Sequence, residues 1–151
     1  SEYAVITNDN MPKYAYNFLI ENLGKIKNKK ILLLGIAYKS DIADTRSSPV
    51  SLFYDLIKKD TSFIEMHDPY VSFWDEKNKK IEKSIEIALS KKYDVIIFTT
   101  AHTFYKKKKI LTYLSKMKNS IIYDTVGIFN DLQLKQLQKN HKVIILGRGD
   151  I

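Results

Sequence analysis

The strongest constraint on this chain is the spacing of its short, unbroken apolar runs. Ile31, Leu32, Leu33 and Leu34 form one run that ends in Gly35, and Val95, Ile96, Ile97 and Phe98 form another. A strand that is apolar on both faces belongs inside a parallel sheet covered by helices on both sides. Weaker strand candidates lie at residues 63–67, 120–123 and 142–146, with segments of helical periodicity between them. Strands alternating with helices predict an α/β fold: a Rossmann-like, three-layer parallel sheet with helices on both faces. If residues 80–83 supply a short edge strand, the elements fill the order 3-2-1-4-5-6. The ligand crevice of that arrangement lies beyond the carboxyl ends of the first and fourth strands, so residues 35–46 and 99–104 would face it.

The helices are signalled by local chemistry. Met11, Ala15, Phe18, Leu19, Leu23 and Ile26 recur at helical spacing, Pro12 suits a first turn and Gly24 a stop. Phe18 and Leu19 serve equally as core or, with Tyr14, as an interface stripe. Ser48 and Pro49 fit an N-cap and first helical position, and Val50, Phe53, Tyr54 and Ile57 then share one face. Residues 71–80 read as a loop or short helix and 84–90 as a short helix. Phe104, Lys107, Leu111, Leu114 and Met117 lie along a further helix, and residues 131–139 form the last.

Composition excludes several classes of function. The chain of 151 residues is 44% hydrophobic, enough for one packed domain, and has no cysteine. Disulfides, thiolate metal sites and a cysteine nucleophile are therefore ruled out within these residues. His67 and His141 have no metal-like spacing to other ligands. No apolar run is long enough for a membrane span, and the first residues do not read as a signal peptide, so a cytoplasmic location is expected. The net charge of +8 suggests an anionic partner. A basic nucleic-acid-binding module is one alternative, but of the 25 basic residues only Arg46 and Arg148 are arginines. Nucleic-acid readers favour the bidentate guanidinium, and a lysine excess, including Lys106 to Lys109, reads more simply as solvated surface. A flavodoxin-like interaction domain is a second alternative; it would want acidic residues after the first strand, where Gly35 to Lys39 has none.

The segment joining the first strand to the Ser48-Pro49 helix carries the most chemistry: Gly35-Ile36-Ala37-Tyr38-Lys39-Ser40-Asp41-Ile42-Ala43-Asp44-Thr45-Arg46-Ser47-Ser48-Pro49. It lacks the further glycines of a dinucleotide fingerprint and is longer than a tight turn. It offers instead two cations, Lys39 and Arg46, near a helix N-terminus, a physical site for phosphate. Lys39 read alone is a surface lysine. Arg46 could instead pair with Asp44 or Asp41. Asp68 reads as a turn residue before Pro69 rather than a ribose ligand. His102, with no nucleophile beside it in sequence, reads as a hydrogen-bonding or capping residue rather than a base.

The pattern Gly-x-Ala-Tyr-Lys followed by Asp-x-Arg-x-Ser-Pro resembles the carboxyl-terminal domain of the UDP-glucose/GDP-mannose dehydrogenase family. Asn8-Asp9-Asn10-Met11-Pro12, Asp68-Pro69-Tyr70-Val71, His102-x-Phe104, and Asp124 with Gly127 resemble further motifs of that family along the chain. Tyr38 and the 124–128 turn look closest to members acting on UDP-N-acetylhexosamines. The resemblance implies an NAD-dependent enzyme that oxidises a sugar alcohol to a carboxylate in two steps, with the catalytic cysteine and the NAD domain outside this chain. It implies that residues 1–27 end a central dimerisation helix, through which the full enzyme forms a homo-oligomer, and that 28–151 form the UDP-sugar-binding domain. It implies that Tyr38 and Lys39 contact the UDP-sugar and that Arg46 reaches NAD held by the amino-terminal domain. Neither nucleic acid nor membrane is an expected partner. Many members place a cation where this chain has Val126; that contact is either lost here or supplied by Lys135, Arg148 or a partner subunit.

Overall fold

A computed structural model describes residues 10–148. Asn8 and Asp9 of the helix-start motif lie outside the described residues. The centre is a five-stranded sheet in the order β2-β1-β5-β6-β7. Its strands are β1 (Ile31–Leu34), β2 (Ile64–His67), β5 (Val95–Phe98), β6 (Ile121–Asp124) and β7 (Lys142–Ile145), all parallel to their neighbours. Every residue of β1 and β5 is buried, whereas the edge strands carry exposed Glu65 and Lys142. Apolar side chains therefore fill the two central strands, and the edge strands carry the exposed charge.

The two-residue period of the strands divides the core into two layers. Ile31, Leu33, Val95 and Ile97 point into one, packed with helices α1 (Met11–Leu23) and α2 (Pro49–Lys58). Leu32, Leu34, Ile96 and Phe98 point into the other. There they meet α3 (Ile85–Ala88), α4 (Lys108–Lys116) and α5 (Asp131–Gln138). α2 starts as its sequence dictates: the Ser48 hydroxyl accepts the Val50 N–H at 3.2 Å, Pro49 opens the helix, and Val50, Phe53, Tyr54 and Ile57 are buried.

α1 stops at Gly24, which takes a φ of 79°. Ala15 and Leu19 are buried, Phe18 stacks on Tyr123 with ring centres 6.3 Å apart, and Tyr14 is exposed. The Tyr123 hydroxyl donates to the Ala15 carbonyl at 2.8 Å, and the Tyr16 hydroxyl donates to the Asp60 carboxylate. The helix is thus tied to the sheet and to the end of α2.

Two regions depart from the sequence reading. Residues 80–83 do not form a full third strand; Glu82 alone makes a parallel bridge beside His67. The preceding residues form a small antiparallel hairpin of β3 (Phe73–Trp74) and β4 (Lys79–Lys80), with a 3-10 turn at Asp75–Lys77. Trp74 and Ile81 are buried against Tyr54 and Met66, which anchors the hairpin to the α2 layer and leaves little chain to lie along β2. The helix expected from Phe104 is also broken. A 3-10 turn at Thr103–Lys106 ends at Lys107, whose extended ψ of 145° precedes α4. Tyr105 is fully buried on this turn, beside His67, Phe98 and His102.

Candidate functional site

The carboxyl edge of the sheet is organised by two aspartates. β1 is followed by Gly35, whose φ is 101° and where a Cβ would lie 2.4 Å from the Thr100 Cβ. Only glycine lets the chain turn this close to the end of β5. The next two amides do not face open space: Ile36 and Ala37 N–H donate to Asp68 Oδ2 at 2.9 and 3.3 Å. The Tyr70 N–H donates to the other oxygen at 2.9 Å, and His102 Nε2 lies 2.9 Å from Oδ2. In a dinucleotide-binding fold, backbone amides after the first strand meet a pyrophosphate. Here a fully buried aspartate supplies that negative charge internally. Asp124 does the same after β6, accepting the Val126, Gly127, Ile128 and Phe129 N–H groups at 2.7–3.2 Å.

The long loop from β1 to α2 is held at several points. The Tyr38 N–H donates to the Asp44 carbonyl at 2.7 Å, the Thr100 hydroxyl to the Ala37 carbonyl at 3.1 Å, and the Thr45 hydroxyl to Glu76 Oε1 at 2.6 Å. Asp41 N–H donates to His102 Nδ1 at 2.8 Å, and the Asp41 carboxylate accepts the Thr103 N–H and hydroxyl at 2.8 and 2.7 Å. These bonds from Thr103 hold the Asp41 carboxyl below its usual pKa. Asp41 and Ser47 both adopt positive φ, 65° and 58°. Such backbone costs about 1–3 kcal/mol per residue and persists only where surrounding contacts enforce it.

The expected binding residues all lie on this loop. The Lys39 Nζ sits 5.4 Å from the centre of the Tyr38 ring; Lys39 is exposed and Tyr38 half-buried. Arg46 Nε and Nη2 each lie 3.0 Å from an Asp44 oxygen, a two-pronged grip, with 82% of the arginine side chain exposed. Hydrogen bonds from Arg46 lower the Asp44 pKa, and the same bonds raise that of Arg46. So open a pair adds little stability but does aim the guanidinium. Val126 is half-buried and lines an apolar cleft of about 220 Å³ with Met11, Pro12, Val50, Phe53 and Thr99. Of the replacement cations considered, Arg148 pairs with Asp131 at 3.2 Å, and Lys135 is exposed on α5.

Residues 32–131 match the UDP binding domain of the UDP-glucose/GDP-mannose dehydrogenase family. The chain belongs to this family. A Methanococcus aeolicus relative named UDP-N-acetyl-D-mannosamine dehydrogenase is 33% identical over 128 residues, 82% of this chain and 28% of its own length. A solved Pyrococcus horikoshii UDP-D-ManNAc dehydrogenase superposes with a TM-score of 0.72 at 26% identity, over 93% of this chain and 31% of that one. An NDP-N-acetyl-D-galactosaminuronic acid dehydrogenase from Methanosarcina mazei gives 0.75 at 25% identity, over 93% and 30%. The chain spans about a third of the length of the curated relatives it matches.

As a UDP-binding domain of this family, the chain shows which of its residues fit a nicotinamide dinucleotide. The turn after β1 does not: its amides are bonded to Asp68 and its glycine is packed on Thr100. The Arg46 guanidinium is exposed and oriented by Asp44, so it is the loop group whose chemistry suits a single charged contact to such a cofactor. Sequence reasoning missed the depth of the Asp68–His102–Asp41 network. The Asp-Pro turn and the histidine after β5 were its only local signals. His67 and His141 are structural. His67 Nδ1 lies 2.9 Å from the Tyr105 hydroxyl and Nε2 3.2 Å from the Lys83 carbonyl, and burial pushes its pKa down to about 4. His141 bonds the Leu114 carbonyl at 2.7 Å and accepts the Ser120 N–H.

Proposed function

We propose that this chain is the nucleotide-sugar-binding part of an NAD-dependent UDP-sugar 6-dehydrogenase, with a UDP-N-acetylhexosamine as substrate. The observation that carries the reading is the state of the sheet's carboxyl edge. Its backbone amides are taken by Asp68 and Asp124, so the exposed cations of the β1–α2 loop remain to meet phosphate. The names of the Methanococcus and Pyrococcus relatives support the choice of sugar.

Lys39 places an ammonium against the diphosphate, and Tyr38 packs beside the lysine stem and the ligand. Arg46, held by Asp44, points toward the cofactor side. NAD, bound mainly by a separate amino-terminal domain, supplies the hydride acceptor. The family's cysteine, which this chain lacks, serves the second oxidation. The part of these residues is to bind, orient and exclude water. The exposed side of α1, with Tyr14, serves the full enzyme as a homo-oligomer contact. The enzyme acts in the cytoplasm in polysaccharide biosynthesis; among the described residues no helix is long and apolar enough to cross a membrane.

Parallel titrations of UDP and NAD into the purified chain test the assignment. UDP should bind and NAD should not. Measurable NAD affinity without UDP affinity would reverse the roles given to this domain. Incubation with NAD and UDP-sugars should yield no sustained NADH; steady turnover by this chain would place the chemistry here instead.

A further inference from the structure

One segment of the β1–α2 loop bonds His102 directly and another reaches it through Asp68. His102, fully buried after β5, presents Nδ1 to the Asp41 N–H at 2.8 Å and Nε2 to Asp68 Oδ2 at 2.9 Å. A backbone N–H only donates, so Nδ1 is an acceptor, and the neutral ring carries its proton on Nε2, where it donates to Asp68. Asp41 returns the contact, because its carboxylate accepts the Thr103 N–H and hydroxyl. The start of the same loop is anchored by Ile36 and Ala37 on Asp68. His102 therefore joins the anchors on either side of Lys39: Asp68 before it and Asp41 after it. The Tyr70 ring closes over the histidine at 4.9 Å, edge to face.

We propose that His102 is a positioning residue that sets the stretch from Ile36 to Asp41, and with it the place of the Lys39 ammonium against a diphosphate. This inference rests on the reading that Lys39 meets UDP. It assigns His102 no proton transfer. Its action runs through the backbone of a loop that carries a left-handed residue, Asp41.

Asparagine and glutamine separate the two ring nitrogens. Asparagine at 102 puts an acceptor near the place of Nδ1, and glutamine puts a donor near that of Nε2. H102N should keep the Asp41 amide slow to exchange and bind UDP within about twofold of wild type. H102Q should expose that amide and weaken UDP by about threefold to tenfold, the loss of one ordinary hydrogen bond. In a K39A background H102Q should have no further effect, because both act on one contact. T103V, at an exposed residue, removes a bond to the same aspartate and should weaken UDP in the same direction if the buried variants do not fold. NMR of the imidazole should show Nδ1 unprotonated at neutral pH. A protonated Nδ1, or UDP binding unchanged in H102Q and T103V, overturns the positioning role. Equal losses from H102Q with and without Lys39 also overturn it, since the histidine would then act on the fold at large. No UDP binding by the wild type overturns the site reading itself, whatever the Asp41 amide does.

Discussion

At the scale of single residues, burial decides which charges can work. His67 is fully enclosed, and its pKa falls from the ordinary 6.5 to about 4. The unfolded chain therefore binds a proton there over a range in which the folded chain does not. Stability rises with pH from about 4 to 6.5, by up to about 3 kcal/mol from this group. Asp41 and Asp44 are shifted down, so what they contribute is present above their ordinary carboxylate range and is lost only in stronger acid. Melting temperature followed from pH 7 to 5 should fall for the wild type and fall less for His67→Gln. Parallel curves would remove His67 as the cause. Gly35→Ala is expected to destabilise strongly, because its Cβ would sit 2.4 Å from the Thr100 Cβ on a backbone of φ 101°. Chemical denaturation gives the size of that loss, and a wild-type midpoint would contradict the close approach.

At the scale of elements, features set by neighbours along the chain were legible in sequence. Ser48, Pro49 and the Val50, Phe53, Tyr54, Ile57 face are local facts of capping and period, and α2 forms on them. β1 and β5 were legible because only a central parallel strand tolerates such runs. The hairpin of Phe73–Trp74 with Lys79–Lys80 was not, since its place depends on Trp74 and Ile81 finding Tyr54 and Met66 across the fold. The same reason hid the network around His102, whose bonds span 61 residues to Asp41 and 34 to Asp68. The proposed binding residues Tyr38, Lys39 and Arg46 could be placed on the crevice loop, because loop position follows from strand order alone. α1 offers an element-level test. Leu19 is fully buried, so Leu19→Ala should cost about 2–5 kcal/mol, whereas Tyr14→Ala should leave stability almost unchanged. Phe18→Asp should both loosen α1 from Tyr123 and reduce any dimer, read by hydrogen exchange and sedimentation. A stable wild-type dimer that survives Phe18→Asp would place the interface elsewhere.

At the scale of the whole molecule, a Rossmann-like sheet has the amides at its carboxyl edge bonded to its own carboxylates. Asp68 and Asp124 satisfy the amide groups that the fold presents at its ligand edge, and the proposed site therefore relies on side chains of one long, well-anchored loop. The lysine-rich surface adds a general attraction for anions, which falls with salt and does not distinguish one lysine from another. The specific contact must be separated from that background. The most direct measurement is calorimetric titration of UDP at fixed ionic strength into the wild type, Lys39→Ala, Arg46→Ala and Lys108→Ala. Loss of a charge-assisted bond of about 1.5–3 kcal/mol should weaken UDP by about tenfold to a hundredfold in Lys39→Ala, with Arg46→Ala and Lys108→Ala nearly unchanged. Equal affinities in wild type and Lys39→Ala, or equal losses in Lys39→Ala and Lys108→Ala, would contradict a UDP site on this loop.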